Sequence, residues 1–168
     1  MHLIDKRLKE NFSSYIFQSA LAFISLIAIL YFLDVLTKTA IVAGLGASSF
    51  IVFAMPRSVT ARPRNVIGGH IVGIVAGSIS FFILWLFRLN CTVLPKFTDI
   101  SLYALSVGLA VFFMVITDTE HPPAGATALG FSIVKGGWPY GDAIFVILSM
   151  VALSFSRFLL KRWLKDLV

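Results

Sequence analysis

Two of the six apolar segments in this chain are too short to cross a lipid bilayer comfortably, and this restricts the folds that the chain can adopt. In chain order the segments cover 15–33, 40–55, 65–87, 100–117, 122–134 and 142–160. A helix needs about 20 residues to cross a hydrocarbon core of ~30 Å. At ~1.5 Å per residue the second and fifth segments reach only roughly 20 to 24 Å. The other four are about long enough to span.

The composition is that of an integral membrane protein. The chain is 58% hydrophobic and 13% charged, with a mean hydropathy of +0.93, whereas soluble domains are about 25% charged. We predict one membrane domain over residues 1–168. The net charge of +6 could suggest a nucleic-acid partner. The basic residues lie at the ends of apolar segments, however, as membrane topology predicts, so we expect the bilayer and no nucleic acid as partner.

The distribution of Lys and Arg favours six crossings with both termini in the cytoplasm. In that arrangement ten basic residues lie inside, namely Lys6, Arg7, Lys9, Arg57, Arg62, Arg64, Arg157, Lys161, Arg162 and Lys165. Four lie outside, namely Lys38, Arg88, Lys96 and Lys135. If the short segments re-enter instead, the bias falls to nine against five. Because basic residues are retained on the cytoplasmic side, we predict a multi-pass protein of the bacterial inner membrane or its equivalent.

Both short segments carry a Gly-Ala-hydroxyl signature, which suggests an internal duplication. Gly46-Ala47-Ser48-Ser49 in the first is followed 79 residues later by Gly125-Ala126-Thr127-Ala128 in the second. Each half holds three segments, an odd number, so halves of like fold must be inverted relative to each other. We therefore predict an all-α membrane protein, a six-helix bundle formed by a 3+3 inverted repeat with halves at about 15–87 and 100–163. A matched pair of short, interrupted segments is a pointer to a transport site.

The two signatures are candidates for an anion site. Each lies in the N-terminal half of its segment, and helix N-termini expose unpaired N–H groups and the positive end of the helix dipole. With six crossings the two short helices run in opposite directions, and we expect their N-termini to meet at one polar point within the membrane and to form the anion site. Ser48, Ser49 and Thr127 add hydroxyl donors, and Gly46 and Gly125 allow a ligand to approach the backbone. The alternative is that these small residues only allow tight helix packing.

His121-Pro122-Pro123 is the most distinctive tripeptide. The prolines are placed where prolines open helices, so His121 would lie at the mouth of the second short helix. It could donate a hydrogen bond to an anion or gain a proton, or it could only fix the turn. Asp118 and Glu120 flank it and could form a proton relay with it, or they could lie in water at the helix end.

Further candidate residues lie between the second and third segments. Arg57, Arg62 and Arg64 have a topological role by default and could also gather anions at the cytoplasmic mouth. His70 lies beside the glycine ladder Gly69-x-x-x-Gly73-x-x-x-Gly77, which predicts close helix packing within or between subunits. His70 could line the path or only pack there.

The sequence offers no pattern for catalysis or for a cofactor. The three histidines, His2, His70 and His121, have no partners at the spacing of metal ligands, so we expect no metal. No paired nucleophile and base, phosphate loop or dinucleotide fingerprint is present. We therefore expect neither an enzyme nor a cofactor.

Two sequence blocks resemble the HPP family of small integral membrane proteins, named for the His-Pro-Pro tripeptide. One runs from Gly46-Ala47-Ser48-Ser49-Phe50 through Pro56 to Arg62-Pro63-Arg64-Asn65-Val66-Ile67-Gly68-Gly69-His70, and the other is His121-Pro122-Pro123-Ala124-Gly125-Ala126-Thr127-Ala128-Leu129. Arg62 stands where many members have glutamine. The resemblance implies membrane transport, with nitrite transport described for plastid and cyanobacterial members. The family is often described as having four spans, two fewer than the six segments counted here.

Taken together, these features favour a transporter or channel for a small monovalent anion, with nitrite as the first candidate and a homo-oligomer as the expected assembly. The expected substrate-binding residues are Gly46, Ser48, Ser49, Asn65, His70, His121, Pro122, Pro123, Gly125 and Thr127. Two alternatives stay open. One is a proton or cation carrier that uses Asp118, Glu120 and His121, and the other is a membrane scaffold that transports nothing.

Overall fold

The computed structural model describes residues 12–14, 16–24, 39–90, 95–134 and 138–167. All the regular elements in these ranges are helices. Several sequence predictions lie outside the described residues. They concern the end of the first predicted span at 25–33, together with His2, Lys6, Arg7, Lys9, Lys38 and Lys135.

The described helices follow the predicted order. They are α1 (Phe12–Ile24), α2 (Thr39–Ala54), α3 (Pro63–Asn90), α4 (Lys96–Thr117), α5 (Ala124–Ser132) and α6 (Tyr140–Leu160), with a 3₁₀ turn at Val59–Ala61 between α2 and α3. The second and fifth helices are short, as predicted, with 16 and 9 residues. Helix α3 begins at its proline, because proline fits the first helical turn, where its missing N–H costs nothing.

Three of these helices are long and apolar enough to cross a membrane. They are Pro63–Leu89, Lys96–Thr117 and Tyr140–Leu160, whereas Phe12–Ile24 and Thr39–Ala54 are shorter apolar helices. Helix α4 exposes large apolar side chains such as Phe112 and Ile116 on its outer surface. Such a surface fits lipid as its surroundings and agrees with an integral membrane protein. By length, the structure thus supports three of the six predicted crossings.

Helix α5 packs against the glycine ladder of α3. A Cβ atom built on Gly69 would lie 2.7 Å from the His121 Cβ, and one on Gly73 would lie 2.5 Å from the Ala124 carbonyl oxygen. One turn further on, Gly77 faces the Ala128 carbonyl in the same way. The ladder therefore brings two helices of one chain together, which answers the question that the sequence left open.

Helices α2 and α5 lie side by side and run in opposite directions. Gly44 faces the Pro123 carbonyl oxygen, and Ile41, one turn nearer the start of α2, contacts Gly130 near the end of α5. The antiparallel course agrees with the sequence prediction. It also places the N-terminus of α2 beside the C-terminus of α5, so the expectation that both N-termini meet at one point is wrong. Only α5 brings its N-terminus to the middle of α2.

Contacts with the C-terminal segment gather several helix ends on one side of the bundle. The Leu167 N–H donates to the Ala54 carbonyl oxygen at 2.9 Å, and the Arg157 Nε donates to the Pro56 carbonyl oxygen at 2.8 Å. On the same side, Arg64 pairs with Asp118 at the end of α4. The C-terminal ends of α2, α4 and α6 and the start of α3 therefore share this side, which is rich in basic residues.

Replacing Gly73 by alanine should destabilise the protein, because the added methyl group meets the α5 backbone rather than a flexible side chain. We expect the free energy of unfolding to fall by about 1–3 kcal/mol. Gly108→Ala is the matched control, since a Cβ atom there has nothing within 4 Å. Thermal unfolding of the purified protein in detergent measures both variants. Equal unfolding temperatures for the two would contradict the close contact of α3 with α5.

Candidate functional site

Two fully buried histidines share one serine hydroxyl at the point where α2, α3 and the start of α5 meet. The Ser48 Oγ lies 2.8 Å from the His70 Nε2 and 2.9 Å from the His121 Nε2. The side chains of Ser48, His70, His121 and Thr127 all have no exposed surface. We call these four residues the histidine cluster.

The outer ring nitrogens of the cluster are also hydrogen-bonded. The His70 Nδ1 lies 2.8 Å from the Thr127 Oγ1 on α5. The His121 Nδ1 lies 2.8 Å from the main-chain carbonyl oxygen of Thr60, in the 3₁₀ turn. All four ring nitrogens therefore have a partner, as buried polar groups require.

These partners fix where the protons lie when both rings are neutral. A carbonyl oxygen only accepts, so the His121 Nδ1 carries the hydrogen and its Nε2 accepts from the Ser48 hydroxyl. Ser48 has a single hydrogen, so it accepts from the His70 Nε2–H. The His70 Nδ1 then accepts from the Thr127 hydroxyl. With the Ser48 hydrogen on the His121 Nε2 rather than on the Gly44 carbonyl oxygen, 2.9 Å from the Oγ, every group is satisfied, whereas the opposite tautomer of His70 would leave one of the two Nε2 atoms without a donor.

The link between α4 and α5 holds His121 in place. Asp118 ends α4 in the left-handed conformation, with φ 54°. The chain then passes close to α3, where Cβ atoms on Gly68 and Gly69 would collide with Thr119 and His121. The Ala124 N–H donates back to the His121 carbonyl oxygen at 2.9 Å, which closes the first turn of α5.

The first turn of α5 has fewer free donors than the sequence predicted. The N–H groups of Gly125 and Ala126 donate to the carbonyl oxygens of Pro122 and Pro123, both at 3.1 Å, as Ala124 does to His121. The two prolines have no N–H at all. The expectation that unpaired N–H groups of this turn would hold an anion is therefore wrong. The donors that the structure offers are imidazole and hydroxyl groups.

The structure brings four of the predicted substrate-binding side chains together and leaves the others apart. Ser49 donates to the Leu45 carbonyl oxygen of its own helix. Gly46 lies two residues from Ser48, about 200° around the helix, and so faces elsewhere. Gly125 faces Val107 on α4.

Asn65 donates to the Glu120 carbonyl oxygen at 3.1 Å and so ties α3 to the link that carries His121. Of the two prolines, the first is exposed and the second is buried against Gly44.

The charged candidates lie outside the cluster. Asp118 pairs with Arg64 at 3.2 Å, and both side chains are largely exposed. Among the described contacts, no hydrogen bond joins the carboxylate of Asp118 or Glu120 to His121, so the predicted relay finds no support. Arg57 and Arg62 are exposed on the loop that also carries Thr60. Within the described ranges, no three His, Cys, Asp or Glu side chains form a group that could hold a metal.

Sequence reasoning missed two contributors to the site. Gly44 lies one turn before Ser48, its carbonyl oxygen is 2.9 Å from the Ser48 Oγ, and it lets α5 approach. Its spacing of four residues from Ser48 was the available signal. Thr60 contributes only its main-chain carbonyl, for which a sequence carries no signal.

Replacing Ser48 by alanine should destabilise the protein more than the same change at Ser49. Without the hydroxyl, the Nε2 atoms of His70 and His121 lose their shared partner, whereas Ser49 only bonds within its helix. We expect a loss of about 1–3 kcal/mol for Ser48→Ala, the usual cost of a buried unsatisfied polar group. Thermal unfolding in detergent gives the comparison. A Ser49→Ala variant that is the less stable of the two would contradict the bridging role.

The comparisons with known proteins agree with this membrane architecture. The chain matches the family described as "HPP, transmembrane region" over residues 7–164. It is 31% identical over 128 residues to a transmembrane protein of Dictyostelium discoideum, covering 70% of this chain and 42% of that protein. A second Dictyostelium discoideum transmembrane protein is 40% identical over 83 residues, covering 49% of this chain and 24% of that protein.

The chain therefore spans less than half the length of these relatives. No solved structure matches it. The match to the family extends over nearly the whole chain and includes both the histidine cluster and the loop with Arg57, Arg62 and Arg64, which we call the basic loop. This chain is a member of the HPP family of transmembrane proteins.

Proposed function

We propose that this protein is a transporter or channel for a small monovalent anion, with nitrite as the first candidate. One observation carries the proposal, namely the fully hydrogen-bonded histidine cluster buried among apolar helices. Polar groups within a membrane domain are costly to bury and are usually functional. Family membership supports transport, and the resemblance to plastid and cyanobacterial members suggests nitrite.

The cluster has donors suited to a small anion. His70 and His121 each carry one N–H, and Ser48 and Thr127 each carry one O–H. An anion that enters between α2 and α5 could accept from these groups in place of its water shell. The dipole of α5 favours negative charge at the same point, because the helix starts beside His121.

The basic loop leads directly to the cluster. Arg57, Arg62 and Arg64 are exposed on either side of Thr60, whose carbonyl oxygen bonds His121. Exposed positive charge raises the local concentration of anions and their rate of arrival. The three arginines would thus supply the anions that the cluster binds.

The finer architecture that the sequence predicts belongs to the same proposal. The antiparallel packing of α2 and α5, second and fifth in the chain, supports a 3+3 inverted repeat. Arg57, Arg64, Lys161 and Arg162 lie on one side of the bundle, which supports a cytoplasmic location for that side. A homo-oligomer stays a prediction from the small size of the chain.

Replacing Thr127 by valine should lower nitrite flux in proteoliposomes about tenfold or more, because a hydrogen bond to a charged group contributes about 1.5–3 kcal/mol. Thr127→Ser keeps the hydroxyl and should retain most of the flux. His121→Ala should also lose flux, whereas Ser49→Ala, one residue from the cluster, should not.

Nitrite accumulation inside the proteoliposomes, measured directly, separates anion transport from a cation or proton carrier, which would move its ion without nitrite. Full flux in Thr127→Val and His121→Ala would remove these residues from the mechanism. If the unmodified protein carries none of nitrite, nitrate, formate and chloride, the transport proposal fails and a scaffold is favoured.

A further inference from the structure

We infer that the histidine cluster binds one proton together with each transported anion, so that transport is an electroneutral proton–anion symport. This inference rests on the proposed anion transport and adds the proton as a second substrate. It follows from counting the donors and acceptors around Ser48.

The cluster can take up one proton beyond those of its neutral form and still give every hydrogen an acceptor. A proton added at the His121 Nε2 turns that atom into a donor toward Ser48. Ser48 then accepts from both rings, and its own hydrogen turns to the Gly44 carbonyl oxygen, 2.9 Å from the Ser48 Oγ. The His121 Nδ1–H keeps its bond to Thr60. Every hydrogen still has an acceptor, so rotation of one hydroxyl accommodates the proton.

A second proton would not be accommodated. The centroids of the two imidazole rings lie 5.2 Å apart. Two positive charges at this distance repel each other strongly in a buried site. In addition, a proton on the His70 Nδ1 would force Thr127 to turn its hydrogen away, and no described hydrogen bond gives that hydroxyl a second acceptor such as Gly44 offers to Ser48. The cluster therefore holds no proton or one.

Among the residues that the structure describes, none contributes a carboxylate that could neutralise that proton. Helices α2 and α5, the 3₁₀ turn and the described part of α1 contain no charged residue. Helix α3 contributes Arg64, which pairs with Asp118, and Arg88, which pairs with Asp99 at the far end of α4. Lys96 lies at that same far end of α4.

The other charged groups of the described ranges are held by contacts outside the cluster. On α6, Asp142 lies in the first turn, at the end away from the cluster, and Arg157 bonds the Pro56 carbonyl oxygen. Asp166 accepts from the main chain of Arg57. Next to His121, the Glu120 carbonyl oxygen bonds Asn65, and no described hydrogen bond joins the Glu120 carboxylate to a ring.

An isolated buried charge is costly. The protonated cluster thus requires a negative charge close by, and a bound anion supplies it. Conversely, an anion in the same apolar surroundings requires the proton. Each ligand lowers the cost of burying the other, which is the physical basis of coupling.

The protonation states can be observed directly by ¹⁵N NMR of histidine side chains in the protein reconstituted into lipid. Without added anion we expect both rings neutral, with the hydrogen on Nδ1 of His121 and on Nε2 of His70. Saturating nitrite should convert one ring to the doubly protonated form. His121→Asn assigns the signal and should abolish the conversion, whereas Ser49→Ala should leave it. Two neutral rings in saturating nitrite would overturn the inference.

The driving force of uptake gives a second test. In proteoliposomes, a tenfold inward proton gradient should raise the initial rate of nitrite uptake several-fold over the rate without a gradient. The rate in protein-free vesicles under the same gradient is subtracted, because nitrous acid diffuses through the lipid. A tenfold potassium gradient with valinomycin should leave the rate unchanged, because symport moves no net charge.

The two proposals fail differently in this assay. Uptake that responds to the potassium gradient and not to the proton gradient would overturn symport and leave anion transport standing. The absence of uptake under both gradients would overturn both.

Discussion

The shared hydroxyl of Ser48 is the contact on which the arrangement of the short helices depends. From its position on α2 it joins the His70 imidazole on α3 to the His121 imidazole before α5. Three elements meet there only because the side chains that would keep them apart are missing. Gly44 on α2 and Gly69 and Gly73 on α3 each face α5 or the link before it at distances that leave no room for a methyl group. The polar bridge and the glycine contacts thus require each other.

The same contacts explain how a nine-residue helix can be stable inside a membrane domain. A short helix leaves much of its backbone unpaired at both ends, and lipid cannot satisfy it. In α5 the start is satisfied because Pro122 and Pro123 have no N–H and the next three N–H groups bond back into the turn. The side chains of Ala124, Ala128 and Phe131 are fully buried, so the helix lies within protein rather than lipid. Close packing within the protein thus stabilises a helix that is too short to span lipid.

The sequence predicted the helices better than the contacts between them. Hydropathy and proline placement were enough for the order of the helices and for the short second and fifth members. Ser48 and Thr127 could be singled out by the repeated Gly-Ala-hydroxyl signature, and His121 by the His-Pro-Pro tripeptide. The register between α2 and α5 could not be predicted, because it depends on Gly44 rather than Gly46 facing the partner helix. The Thr60 carbonyl had no signal either, since any residue at that position supplies the same atom.

The cluster as it stands is closed, so the proposed transport requires that its bonds open and close again. The four bonds made by the two rings contribute about 0.5–1.5 kcal/mol each, a few kcal/mol in total. A hydrogen bond to a charged group contributes about 1.5–3 kcal/mol, so one anion that accepts two donors supplies a free energy of the same size. A ligand shifts a conformational equilibrium only by its differential affinity for the two states. On the proposed function, the closed cluster would therefore be stable enough to exclude ions when empty and weak enough for a bound anion to open.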